Sequence, residues 1–138
     1  MAVQVGSFQV DTRGETHIID ITRQVADAVE RSGVEQGLAA VFVAGSTAGI
    51  TTIEFESGLV SDLRDAFERI APREGRYEHN QRWGDGNGYA HVRASFIGQG
   101  RCFPVRDGAP ALGTWQQIIL VDFDNRPRTR DITVQIIS

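Results

Sequence analysis

The sequence predicts an α+β protein: a mostly antiparallel β-sheet or sandwich with two α-helices packed on it, formed as a single domain over residues 1–138. Three observations carry that expectation. Most of the chain falls into short segments in which apolar and polar residues alternate, as half-buried strands do. Only two segments repeat their apolar residues at helical spacing. Their order, with the second helix followed by strand after strand, is that of an α+β chain rather than of repeated βαβ units.

The first segment, Val3 to Val10, alternates. The turn Asp11-Thr12-Arg13-Gly14-Glu15 leads from it to a second strand, Thr16 to Ile19, and the two read as an opening hairpin. Asp20 or Thr22 can cap a helix running to about Arg31. In it Ile21, Val25, Ala28 and Val29 share a face, and Gly33 stands past the end. Leu38 to Ala44 is apolar on both alternating sets, as in a central strand covered on both faces, and it empties into Gly45-Ser46-Thr47-Ala48-Gly49. Ile50 to Glu56 alternates again, with Glu54 on the polar side. Ser57 then caps a helix from Gly58 to Ile70 whose stripe is Leu59, Val60, Leu63, Ala66, Phe67 and Ile70, ended by Pro72.

Arg73 to Arg82 is polar and loop-like, with Tyr77, His79 and Trp83 able to line a site. After a glycine-rich turn, Tyr89 to Gly98 alternates as a strand, with Ala90, Val92, Ala94 and Phe96 inward and His91 and Arg93 together on the opposite face. Arg101 to Val105 returns from Gly100. Trp115 to Phe123 is the longest strand expected, and Asp124-Asn125-Arg126-Pro127 closes a hairpin onto Thr129 to Ile137.

Composition narrows the function classes. A net charge of −4 argues against a general nucleic-acid binder. All fourteen basic residues are arginine, an excess that genomic composition can produce by itself. The lone Cys102 precludes an internal disulfide and reads as a small apolar filler. No apolar run nears the roughly 20 residues of a membrane helix, and the N-terminus lacks a signal-peptide core, so a soluble cytoplasmic protein is expected.

The densest set of reactive groups is Trp83-Gly84-Asp85-Gly86-Asn87-Gly88-Tyr89-Ala90-His91. Three glycines in five positions mark a special backbone path, while Asp85, Asn87 and His91 offer oxygen and imidazole ligands or a simple self-bonded turn. The start of a calcium loop is present without its later ligands, and paired zinc spacing is absent. Ser46 and Thr47, with their free backbone N–H groups, suit an anion such as phosphate. No Walker lysine follows and a strand comes next, which excludes a P-loop. Glu54 reads as a general base, a metal ligand or an ordinary solvated carboxylate, the last being the commonest for such a residue. Arg93 beside His91 can clamp a phosphate, and both also suit a subunit interface.

Taken together, Val41 to Glu54, Asp85 to Ser95, Leu112-Gly113-Thr114-Trp115-Gln116 and the arginine-bearing Asp122 to Val134 resemble, in order, the motifs of the YjbQ family, also called UPF0047. The resemblance spans nearly the whole chain. It implies a compact α+β domain assembled as a homotrimer with sites near subunit boundaries. It further implies a secondary thiamine-phosphate synthase activity, joining a hydroxymethylpyrimidine diphosphate to a thiazole phosphate with loss of pyrophosphate. Two departures stand out: many relatives carry His-Thr-Thr where Gly45-Ser46-Thr47 stands, and a histidine where Tyr89 stands. The remaining donors suit magnesium or another divalent cation better than zinc. No organic cofactor, nucleic acid or membrane partner is implied.

On this reading His91 is the catalytic acid or base, with Glu54 beside it. Ser46, Thr47 and Arg93 bind the anion, Trp115 and Gln116 line the pocket, and Asp85, Asn87 and Glu54 hold a metal. The rivals are a non-catalytic trimeric binding protein for a small phosphorylated metabolite and, third, a metal-dependent hydrolase.

Overall fold

The computed structural model describes residues 1–138, in eight strands and four helices. The strands are β1 (Val3–Thr12), β2 (His17–Asp20), β3 (Gln36–Val43), β4 (Ala48–Ile53), β5 (Gly100–Arg106), β6 (Ala109–Pro110), β7 (Gln117–Asp122) and β8 (Arg128–Ile137). The helices are α1 (Thr22–Ser32), α2 (Ser57–Ile70), α3 (Glu78–Trp83) and α4 (Gly88–Ile97). Every strand pair is antiparallel, in a five-stranded sheet ordered β1-β8-β3-β5-β6 and a three-stranded sheet ordered β2-β7-β4.

The two sheets and α1 enclose one core, in which Val25 and Val29 of α1 meet Val41, Ile118, Leu120 and Ile132. The opposite face of the small sheet carries a second core, where Ile119, Val121 and Phe123 pack against Phe67 of α2 and Tyr89, Ala90 and Ala94 of α4. The strand covered on both faces is therefore β7, whose Ile118 to Asp122 are all buried. The expectation for β3 fails because Leu38 and Phe42 stay 42% and 49% exposed on the outer side of the large sheet.

Both expected helices form, with small differences at their ends. Asp20 accepts from the backbone N–H and hydroxyl of Thr22 at the start of α1, and Gly33 ends it at φ 72°. At α2 it is Glu56, not Ser57, whose carboxylate accepts from the backbone N–H groups of Gly58 and Leu59. Asp or Glu at such an end also meets the positive pole of the helix.

Four expectations are corrected. The expected strand from Tyr89 to Gly98 is instead a helix ending at Ile97, because its buried members Tyr89, Ala90, Arg93 and Ala94 follow a helical stripe while Val92 and Phe96 face outward. Residues 78–83 form a short helix rather than a loop. Neither expected hairpin exists, since β1 pairs with β8, whereas β2 and β7 belong to the other sheet. Cys102 is exposed rather than a filler.

Because β1, β3, β6 and β7 each lead, with no helix between, into a strand of the opposite sheet, the chain makes four such crossings, and three of them lie near Gly14–Thr16, Ala44–Thr47 and Phe123–Pro127. These crossings touch: the Glu15 N–H donates to the Asp124 carbonyl at 2.7 Å and the Phe123 N–H to that of Thr47 at 2.9 Å. Helix α4 is docked beside them. At its far end the Gly98 carbonyl accepts from the Ile50 N–H at 3.0 Å, and Gly49 leaves room for it. A Cβ on Gly49 would fall 2.6 Å from Ile97 Cδ1 and 2.7 Å from the Gly98 carbonyl oxygen. Gly49→Ala is therefore expected to cost roughly 1–3 kcal/mol through overpacking, and Ile118→Ala roughly 2–5 kcal/mol through the cavity it leaves. Urea denaturation measures both; an unchanged midpoint for Gly49→Ala would mean that α4 is not held this closely.

Candidate functional site

The three crossings leave polar side chains in a buried corner, and these satisfy one another. Arg130 of β8 points inward, on the face it shares with Ile132 and Val134. Its Nε and Nη2 donate to the two carboxylate oxygens of Asp122 at 2.7 and 2.8 Å. Thr12 donates to Asp122 at 2.6 Å, and the Asp124 backbone N–H donates to it at 3.0 Å. Asp122 has no exposed side-chain surface and Arg130 only 8%. A buried charge costs several kcal/mol unless paired and hydrogen-bonded, and here every carboxylate oxygen is.

Asp124, also fully buried, is the second centre. It accepts from the Thr47 hydroxyl at 3.2 Å, the Asn87 amide at 3.2 Å, the Asn125 backbone N–H at 2.8 Å and Arg128 Nε at 2.7 Å. Burial by itself would raise its pKa; the bonds from Asn87, Asn125 and Arg128 outweigh that and hold it below the usual carboxylate range. Asn87 sits at the N-terminal boundary of α4, so Asp124 fixes where that helix begins. Asn80 of α3 helps by accepting from the Gly88 N–H at 2.8 Å.

One turn into α4 stands His91, and α3 presents His79 to it with ring centroids 4.4 Å apart. Burial, and then the neighbouring His79, lower the His91 pKa, so its ring is neutral at pH 7. Asp85 Oδ1 lies 3.5 Å from His79 Nδ1. Two buried polar atoms find no hydrogen-bond partner, His79 Nδ1 and Asn87 Oδ1, and both belong to this cluster. Orphaned buried polar atoms are uncommon, and two of them fall in this cluster.

Asp124 thus joins Thr47 to Asn87, His91 stands one turn beyond Asn87, and Asp85 reaches the group through His79, with Ser46 exposed beside Thr47. The structure adds His79, whose place the sequence left open. Arg93 is not part of this set. Residues two apart on a helix point about 200° apart, and Arg93 is buried on the other flank, donating to the Ala71 carbonyl, Thr16 and Glu68. There Tyr89 donates to Glu15 at 3.0 Å, and burial followed by that bond pushes its phenol up to about 12.

Glu54 lies exposed beyond the end of β4, and Gln116 bonds Thr52 at 3.1 Å, with Trp115 73% exposed next to it. Thr52 is five residues along the strand from Thr47, about 17 Å. Within one chain, Glu54, Trp115 and Gln116 therefore sit at the opposite end of β4. No three His, Cys, Asp or Glu side chains gather as metal ligands do, so Glu54, Asp85 and His91 form no such group. Arg130 and Asp124 are the site residues the sequence reading missed. An arginine in step with Ile132, Val134 and Ile136 was the available signal.

Acidification should loosen this corner. His91 and Asp124 both have folded pKa values below their ordinary ones. The His91 contribution is lost as pH falls below about 6.5 toward its folded value; that of Asp124 is present above about 4 and is lost as pH falls through its folded value. His17, lowered by burial, acts in the same direction as His91. The melting temperature should decline from pH 7.5 to 5, with His91→Asn flattening part of the decline; a flat or rising profile would contradict the assignment.

Comparison with known proteins agrees with this architecture. A family model described as UPF0047 protein YjbQ-like matches residues 6–138. A UPF0047 protein of Methanothermobacter thermautotrophicus is 36% identical over 136 residues, covering 99% of this chain and 93% of that one. Among solved structures, a YbjQ-like protein of unknown function from Sulfolobus solfataricus P2 superposes with a TM-score of 0.88 at 37% identity, covering 98% of each chain. A hypothetical protein from Aeropyrum pernix K1 reaches 0.91 at 31% identity, again over 98% of each.

Proposed function

The chain belongs to the UPF0047 YjbQ-like family, and from that footing we propose that it is a transferase of the secondary thiamine-phosphate synthase type. The reaction joins a hydroxymethylpyrimidine diphosphate to a thiazole phosphate and releases pyrophosphate. Substitution at a carbon bearing diphosphate needs two things from a protein: alignment of the reacting partners and stabilisation of the charge that develops on the leaving group.

The observation that carries the reading is the His79–His91 pair, one turn from Asn87, which Asp124 ties to Thr47 of the Ser46–Thr47 loop. Neutral His91 can take a proton or donate a hydrogen bond, with the His79 ring packed against it and Asp85 3.5 Å from His79. Ser46 offers an exposed hydroxyl to a phosphoryl group. Glu54 stands apart from Asp85 and Asn87, so the three do not make a divalent-cation site within one chain, and no step runs through such an ion. His91→Ala should lower product formation from the two thiamine precursors by about 10²-fold or more, in line with loss of a general acid or base. Unchanged turnover would remove its role. Precursors that raise the melting temperature without any product forming would favour the binding-protein reading instead.

A homotrimer accompanies this proposal. The outer face of the large sheet leaves Val3, Val5, Leu38 and Phe42 between 42% and 66% exposed, an apolar surface of the kind that subunits cover. Light scattering should give a particle three times 15.2 kDa, and Phe42→Asp should shift it toward one chain. A 15.2 kDa wild-type particle would end the assembly proposal.

A further inference from the structure

We infer that the phosphoryl group proposed above is recognised by Arg130 Nη1 together with the backbone N–H groups of Gly45, Ser46 and Thr47. The inference rests on the reading of this site as one for phosphorylated substrates, and it assigns the recognition to groups other than Arg93 and the Thr47 hydroxyl.

Both of those are already engaged. Arg93 spends Nε, Nη1 and Nη2 on Ala71, Thr16 and Glu68. The Thr47 hydroxyl donates to Asp124 and accepts from Arg130 Nη2 at 2.7 Å. Arg130 is different. Its Nε and Nη2 are held by Asp122 and Thr47, which fixes the plane of the guanidinium, yet Nη1 makes no hydrogen bond within the chain. The residue is 7% exposed, but Nη1 is not among the fully sequestered polar atoms that lack a partner, so it still reaches solvent.

What it reaches past is Gly45. A Cβ built there would lie 2.7 Å from Nη1, so any side chain at this position would cover the nitrogen. Gly45 also sits at φ 136°, a conformation L-residues rarely adopt. From Gly45 to Thr47 the chain belongs to neither flanking strand, and none of these three successive N–H groups donates within the molecule. The Ser46 hydroxyl is likewise free and the residue exposed. Gly45 and Ser46 are exposed, so this loop presents three backbone donors, a hydroxyl and, beside Gly45, one arm of a rigid arginine, none of them partnered within the chain.

That donor set fits the oxygens of a phosphate or diphosphate. Charge-assisted bonds from a guanidinium are the strong kind, and successive backbone N–H groups in a turn make anion-binding concavities. Asp122 balances the overall charge of Arg130, so recognition depends on directed donors more than on net positive potential.

The test is a titration of the whole protein with inorganic phosphate and with pyrophosphate, followed by amide proton–nitrogen correlation spectra. Saturable shifts at Gly45, Ser46 and Thr47 and at the Arg130 side-chain resonances are expected. Ser46→Asp places a carboxylate in the loop at an exposed position without a hydrogen bond, and it should weaken pyrophosphate binding at least about tenfold, a change of the size one strong polar contact commands. Glu30→Gln, an exposed change on α1 away from the loop, should retain binding, and the spectra of both variants report that they are folded. Shifts confined to other residues, or equal affinity in Ser46→Asp, would overturn the inference. Since neither probe needs turnover, loop shifts without product formation would sink the transferase reading alone, while product formation without loop shifts would sink this one alone.

Discussion

Asp122 and Arg130 meet at the corner where the chain passes from the small sheet to the large one, and the rest of the molecule is arranged to keep that contact dry. The pair spans only eight residues of sequence yet links β7 to β8 in different sheets. Thr12 at the end of β1 and Thr47 just before β4 close around it. Removing one partner of such a buried pair strands a charge at a cost of roughly 3–5 kcal/mol. A hydrophobic substitute for both would supply adhesion but no direction. The polar version specifies which strand ends come together and at what angle.

That direction is what the candidate site inherits. Asp124 follows Asp122 by two residues, and the hydrogen bonds it accepts set the position of Asn87 and hence the first turn of α4. His91 is placed by that turn, and α3 is held against it through Asn80 and the histidine contact. Helix α4 is anchored on its other flank by Arg93, whose guanidinium lies 5.0 Å from the Tyr89 ring centroid. The arginine once paired with His91 in a strand reading thus works as a structural clamp. The His91 edge of the helix faces one way and its anchor faces the other.

Legibility followed physical cause. Helices α1 and α2 were readable because each presents a single apolar stripe to a core. The alternation of β8 was readable because one of its faces is buried throughout. Helix α4 was not, since Ala90, Val92, Ala94 and Phe96 mimic a strand while the residue that completes its buried stripe, Arg93, is charged. The supposed β7–β8 hairpin misled for a similar reason: Asp124-Asn125-Arg126-Pro127 has turn composition, but it makes a crossing between sheets. Of the site, the Ser46–Thr47 loop and the Asp85–His91 segment were visible as motifs. The two groups that connect them, Asp124 and Arg130, sit inside strands or beside them, where only long-range pairing gives them meaning.

The strand order also governs how the chain can be assembled in time. Of these strands β8 is synthesised last, yet it lies between β1 and β3, pairing Val3 with Ile137 on one side and Leu38 with Ile137 on the other. Until it emerges, β1 has no neighbour in its sheet and Asp122 lacks its guanidinium. Contacts of such sequence separation are slow to close and leave strand edges open meanwhile. The corner that defines the site is therefore completed only when synthesis of these elements is over, and a nascent chain halted before Arg130 would hold His79, Asn87, His91 and Asp124 without the guanidinium that braces their corner.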